Sequence, residues 1–186
     1  MRIISGKFKG KKISYTNISN TRPLRDYVRE NIFNIIVHGK MIKFNLENAN
    51  ILDLYSGTGS FGIECLSRNV NNVVFVEKDP LAFSVLKKNI SNLKLINKSK
   101  LIYQDVKHFV EKFDGKNKFD LFFFDPPYKD TSFVEIIGLI KEKKLFTKHH
   151  SVIIHREKKC EEELSKFLKV DFQKNYGRSK IVIGSF

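Results

Sequence analysis

Tryptophan is absent from this 186-residue chain, cysteine occurs twice and proline four times. No stretch approaches the roughly 18 consecutive apolar residues of a membrane span. Cys65 and Cys160 show no C-x-x-C or Cys/His ligand spacing, which excludes a disulfide framework and a zinc site. Both read as small buried hydrophobes in a reducing compartment. The missing tryptophan costs no core, because 17 phenylalanines supply large apolar side chains. The start, Met1-Arg2-Ile3-Ile4-Ser5-Gly6-Lys7, lacks the apolar run of a signal peptide. A soluble, cytoplasmic protein with no membrane partner is expected. His38, His108, His149, His150 and His155 are scattered without ligand spacing, so no metal is expected and satisfied strand or surface histidines are.

Acidic residues are also scarce, 20 against 34 Lys plus Arg, giving a formal net charge of +14. Such an excess favours a polyanionic partner, although lysine spread over the whole chain also fits a merely solvated surface.

Residues 1 to 20 read as a glycine-punctuated hairpin and Thr21-Arg22-Pro23 as a turn. The helical spacing of Val28, Ile32, Ile35 and Ile36 predicts a helix after it. From Ile51 short apolar runs alternate with helical patterns. Strands are predicted at 51–55, 73–77, 101–103, 119–124 and 152–155. Helices are predicted at 60–68, 80–93, 107–113, 132–145 and 161–168, the last with Glu161-Glu162-Glu163 as its acidic first turn. Two closing strands, 170–174 and 181–186, flank Gly177. The expected architecture is α/β and Rossmann-like: a mostly parallel seven-stranded sheet with an antiparallel edge strand and helices on both faces. Residues 1–39 form a basic hairpin-and-helix extension to a domain spanning 40–186.

The first motif is Asp53-Leu54-Tyr55-Ser56-Gly57-Thr58-Gly59-Ser60-Phe61-Gly62, a G-x-G-x-x-G between a predicted strand and a predicted helix. Gly57 and Gly59 let a cofactor approach the backbone, and Gly62 lets helix and strand pack closely. Glu77 ends the next strand, where a carboxylate can accept both ribose hydroxyls. A nicotinamide cofactor and S-adenosylmethionine both fit so far. Asp53, four residues before the first glycine, and Asp105, after the third strand, favour S-adenosylmethionine. The candidate cofactor set is Asp53, Tyr55, Ser56, Gly57, Gly59, Phe61, Gly62, Glu77 with Lys78, and Asp105 with Val106.

The second motif, Asp125-Pro126-Pro127-Tyr128, follows the fourth strand, where open parallel sheets place their ligands. An exocyclic amine on a nucleobase is a poor nucleophile, since its lone pair is delocalised into the ring. Asp125 and the Pro126 carbonyl can each accept one of its N–H groups and aim the lone pair. The prolines stiffen the loop and remove competing donors, and Tyr128 offers a face for a flipped-out base. A nicotinamide oxidoreductase gives no reason for this motif, and a non-catalytic RNA-binding protein no reason for its being intact. Guanine N2 in RNA and adenine N6 in DNA both remain open at this point.

Arg2, Lys7, Lys9 and Lys11, then Arg22, Arg25 and Arg29, are the candidate RNA contacts, with Phe8 and Tyr15 interleaved. Arg25 and Arg29 can share one helix face beside Arg22.

Together, Arg2 to Gly10, Thr21-Arg22-Pro23 with Val28-Arg29-Glu30, Asp53 to Glu64, Glu77, Asp125 to Tyr128 and Tyr176-Gly177 resemble the bacterial 16S rRNA guanine-N2 methyltransferases of the RsmD type, over nearly the whole chain. Leu24-Arg25 departs from the small residues common there. The resemblance implies methylation of guanine N2 in 16S rRNA, at the guanine-966 site, within the small (30S) ribosomal subunit; a monomer is expected.

Overall fold

The structure, a computed structural model, describes residues 1–15, 24, 26–40, 42 and 44–186. The expected Thr21-Arg22-Pro23 turn therefore lies outside the described residues. In chain order the elements are α1 (Asp26–His38), β1 (Asn50–Leu54), α2 (Ser60–Ser67), β2 (Asn72–Glu77), α3 (Pro80–Asn92), β3 (Ser99–Tyr103), α4 (Val106–Lys112), β4 (Phe119–Phe124), α5 (Phe133–Glu142), β5 (Phe146–Glu157), β6 (Lys169–Tyr176) and β7 (Ser179–Ser185). The seven strands form one sheet in the order β3-β2-β1-β4-β5-β7-β6. Strands β1 to β5 pair in parallel, and β7 runs antiparallel to both β5 and β6. The architecture is the Rossmann-like one expected, with the reversed strand β7 one place in from the rim.

Strand order reverses between β1 and β4, whose carboxyl ends lie side by side with Leu54 opposite Phe124. The central strands are apolar on both faces because both are covered. One core joins α1, α2, α3 and the chain start through Ile3, Phe33, Phe61 and Leu86; the other joins α4 and α5 through Val110, Phe133 and Ile137. Local signals set the helix starts. Asp79 caps α3 by accepting the Ala82 N–H at 2.8 Å, with Pro80 in its first turn.

The chain start folds back as a short hairpin around one antiparallel bridge between Arg2 and Lys12, the Ile3 and Ile13 N–H groups bonding the Lys11 and Met1 carbonyls at 2.9 and 3.0 Å. One expected element takes another form, and the start is docked in a way the sequence did not indicate. The N–H groups of Ile4 and Ser5 turn to the buried carboxylate of Glu64, at 2.8 and 2.9 Å. Residues 161–168 form no α-helix. They run irregularly into a single 3-10 turn, Leu164–Lys166, because Glu162 is drawn inward to Arg156. Strand β5 is also far longer than residues 152–155.

Candidate active site

Strand β1 delivers the glycine loop. Tyr55, Gly57 and Gly59 have φ of 60°, 55° and 87°, so the backbone turns left-handed three times within five residues. The Ser56 N–H and hydroxyl both bond the Val76 carbonyl, tying the loop to β2. The Gly57 N–H donates to Glu77 Oε2 at 2.7 Å, and the Gly62 N–H to Asp53 Oδ2 at 3.0 Å. A Cβ on Gly57 would meet nothing within 4 Å, so the loop is open there. At Gly62 it would lie 2.3 Å from Phe75 Cε1, which is the close helix-strand packing expected. Gly59 differs from expectation: its Cβ would strike Leu86 Cδ1 at 2.5 Å, so that glycine answers to core packing as well as to its φ.

Asp53 is 1% exposed, and its Oδ1 has no hydrogen-bond partner among the described residues. Burial, reinforced by the charges of Asp125 and Glu77, pushes its pKa well up, while the Gly62 N–H opposes. Glu77 also titrates high through burial, against the N–H groups of Asp79, Gly57 and Lys78 that it accepts. Asp105 caps α4 through the Lys107 and His108 N–H groups and pairs with Lys78 at 3.0 Å. Burial alone would raise Asp105, but Lys78 and those N–H groups bring it below the ordinary value. Burial, and then the charges of Asp130 and Asp105, keep the Tyr55 hydroxyl protonated far above its usual range.

Two members of the expected cofactor set turn inward. Phe61 is 2% exposed and stacks on Phe123 at 3.8 Å between centroids, with Phe33 on its other side. Phe61, expected among the cofactor residues, gives its ring to the core. Val106 is likewise buried against the opposite core, leaving only its backbone near Asp105.

S-adenosylmethionine fits what remains. A buried carboxylate oxygen lacking a donor carries a desolvation cost unless a ligand supplies one. A cofactor with an ammonium group and ribose hydroxyls carries such donors, and the open side of Gly57 admits it.

Asp125 follows β4, its N–H reaching the Leu54 carbonyl at 3.4 Å, so it sits beside the glycine loop. Two residues that sequence reasoning left out grip this segment. His155 Nδ1 lies 2.7 Å from Asp125 Oδ1, and its Nε2 lies 2.9 Å from Ser179 Oγ. The Arg156 guanidinium donates to the carbonyls of Pro126 (3.3 Å), Pro127 (2.9 Å), Tyr128 (2.9 Å) and Asp130 (3.1 Å). It also bonds Glu162 and lies over the Phe133 ring. The signal available was two basic residues ending the apolar run Val152-Ile153-Ile154, where a buried strand has no reason for them. Tyr128 stands edge-on to His155 at 6.2 Å, and Cys160, only partly buried, sits by the Tyr128 carbonyl.

Of the candidate RNA contacts, Arg2, Lys7, Lys9 and Lys11 are exposed, with Lys7 and Lys11 over the Phe8 ring at 5.8 and 5.1 Å. Arg22 and Arg25 lie outside the described residues. Arg29 is a correction. It is 0% exposed and its guanidinium is engaged by the Arg2 carbonyl, Asp26 and the Met1 sulfur. It pins the chain start and offers nothing to a phosphate. Asn89, on α3, bonds both Ser14 and the Thr58 carbonyl, joining the extension to the glycine loop. Among the described residues no helix is long and apolar enough to cross a membrane, and no cluster of metal-binding side chains occurs.

The family described as conserved hypothetical protein 95 matches residues 1–185. Ribosomal RNA small subunit methyltransferase D of Buchnera aphidicola (subspecies Acyrthosiphon pisum) is 37% identical over 84% of this chain and 78% of its own length. A conserved hypothetical protein of Streptococcus pyogenes is 30% identical with a TM-score of 0.73, covering 86% of this chain and 96% of that one. A hypothetical protein of Thermus thermophilus superposes at a TM-score of 0.81 and 21% identity, covering 100% and 99%.

Proposed function

The chain belongs to the conserved hypothetical protein 95 family, and on that premise we propose that it is an S-adenosylmethionine-dependent RNA methyltransferase that acts on guanine N2 of 16S rRNA in the small ribosomal subunit, at the guanine-966 site. The observation that carries this is the placement of Asp125, beside the glycine loop at the reversal of strand order, with Oδ1 fixed by His155 and Oδ2 accepting from no described residue. The name of the Buchnera relative supports the RNA substrate.

When bound, S-adenosylmethionine supplies a methyl carbon on a cationic sulfur, which an amine can take up as the sulfur leaves neutral and one proton is released. The Gly57 region, Glu77, Lys78, Asp105 and the Val106 backbone would hold it, with the unpartnered Asp53 carboxylate oxygen supplying a further acceptor. Asp125 Oδ2 accepts one N–H of the base amine and receives the proton. The Pro126 carbonyl accepts the other N–H through its second lone pair, the first being shared with Arg156. Tyr128 stacks on the extruded base. The rate gain comes from orientation, which converts an encounter into a fixed alignment.

The test is incubation with methyl-labelled S-adenosylmethionine and unmodified small subunits, naked 16S rRNA or duplex DNA, followed by nucleoside chromatography. Labelled N2-methylguanosine from subunits or rRNA is the expected result. Label in adenine, or none in any lane, overturns it.

A further inference from the structure

β5 meets the loop after β4 with two adjacent side chains that do different jobs. The parallel register pairs Phe124 with Ile154, so the next rung brings Asp125 beside His155. Alternation along the strand sends His155 and Arg156 to opposite faces. Arg156 takes the backbone carbonyls of the loop, and His155 takes the side chain of Asp125. His155 is 4% exposed, so both ring nitrogens must be satisfied from within the protein, and they are.

The partners define the ring's states. Facing a carboxylate, Nδ1 carries a hydrogen and donates to Asp125 Oδ1. Nε2 faces a hydroxyl, which can donate to a neutral ring or accept from a charged one. His155 can therefore gain or lose a proton without breaking either bond. The titratable or charged groups around it are Asp125 at the end of β4, Arg156 on its own strand and Tyr128 in the loop, with Ser179 of β7 closing the far side.

We propose that His155 is the positioning residue for Asp125: held at Ser179, it pins Asp125 Oδ1 so that Oδ2 alone faces the amine. This rests on the reading of Asp125 as the acceptor of the amine proton. With a neutral ring the pair carries one negative charge, and Oδ2 keeps its full capacity to accept that proton. With a charged ring the pair is already neutral and a weaker acceptor. Turnover thus falls on the acid side of the His155 titration. Burial works against the charged ring, Arg156 does so to a smaller degree, and the charge and hydrogen bond of Asp125 more than offset them.

Two measurements test it. The first needs no substrate or cofactor: histidine ring resonances are followed by NMR against pH in the wild type and in Asp125→Asn, with His155→Asn locating the signal. A clear fall of the His155 midpoint in Asp125→Asn is expected, and an unchanged midpoint overturns the pairing. The second compares kcat, KM for RNA and S-adenosylmethionine affinity. His155→Ala should lose about 10- to 100-fold in kcat, as for one hydrogen bond to a charged group, with KM and cofactor affinity nearly unchanged. His155→Asn, which keeps an N–H near the Nδ1 position, should recover most of that rate and lack the acid limb. Equal kcat in His155→Ala and wild type overturns the proposal, and so does a His155→Asn rate no better than that of His155→Ala. If His155→Ala fails to fold, the NMR comparison and the pH profile of His155→Asn still decide. A wild type that methylates no RNA defeats the functional reading instead, while the NMR result stands alone.

Discussion

Arg156 and Glu162 form an ion pair of 2.5 Å, with only 1% and 5% of their side chains exposed, directly beneath the Asp125-Pro126-Pro127-Tyr128 loop. Lys180 lies 3.6 Å from the other Glu162 oxygen, which has no hydrogen bond among the described residues. Burying such a pair yields little net stability, but breaking it strands a charge. Arg156→Ala should therefore cost about 3–5 kcal/mol in chemical denaturation. Replacing both partners by methionine and leucine should restore part of that stability, because Lys180 then loses its acid. Methylation should stay low in the double variant, since four loop carbonyls still lack their donor. Full recovery of activity with stability would show that the guanidinium serves only the fold.

The architecture and the turns of the glycine loop were legible in the sequence, whereas this grip on the loop after β4 was not. Motifs such as Asp53 to Gly62 are contiguous and act through backbone turns, so spacing alone reveals them. His155 and Arg156 act across the sheet, 30 and 26–30 residues from the loop atoms they hold, and only the β4–β5 register shows it. Arg29 misled for a related reason. Its spacing to Arg25 suits a common face, but spacing does not say which face is covered, and here the chain start lies over it. The acidic run at 161–163 suited a helix start locally, yet the pull of Arg156 on Glu162 outweighed that preference.

Stability should carry the signature of His155. Its pKa stands above the ordinary value, because Asp125 outweighs burial. A group raised on folding contributes stability that is fully present below its unfolded pKa of about 6.5 and is lost as pH rises through the folded value. Urea unfolding from pH 5.5 to 9 should show the wild type losing stability relative to Asp125→Asn across that window. A difference that stays flat with pH would contradict the coupling.

Asp53 shifts stability with pH in the same direction, but as a charge that the fold disfavours. Its pKa is raised well above the usual carboxylate range, chiefly by burial. Protonation thus favours the folded state, and stability falls as pH rises through the folded value. Asp53→Asn keeps an acceptor for the Gly62 N–H and removes the charge. Its Tm should exceed that of the wild type by a margin that grows from pH 5 to pH 8, while S-adenosylmethionine affinity, read by calorimetry, drops. A lower Tm at every pH would mean that the carboxylate stabilises the fold.

Gly57 and Gly62 separate conformation from space. Gly62→Ala drives a methyl into Phe75 and Val73, and overpacking of this kind costs about 1–3 kcal/mol. Trimming the obstacle with Phe75→Leu should return part of it. Gly57→Ala meets no atom but must hold φ at 55°, a left-handed strain of about 1–2 kcal/mol. Its methyl points into the open side of the loop, so cofactor affinity should fall more than stability. Unchanged affinity in Gly57→Ala would remove the cofactor from that side.

The charges of the chain start can be sorted by salt. Arg2, Lys7, Lys9 and Lys11 are exposed and form no ion pair among the described residues, so no described carboxylate competes with a phosphate for them. Every phosphate that goes unneutralised should reduce the slope of log K against log salt by about 0.7 for a single-stranded and 0.9 for a duplex RNA segment. Replacing all four by glutamine should flatten RNA binding by about three in that slope if each meets a phosphate, with Tm nearly unchanged. Arg29→Gln should do the reverse. It empties a buried guanidinium site that bonds the Arg2 carbonyl and Asp26, so Tm falls while the slope holds. Binding that weakens equally at all salt concentrations in the fourfold variant would place the RNA elsewhere on the surface. A slope change in Arg29→Gln beyond its effect on stability would mean that the chain start must be docked before its lysines can meet phosphate.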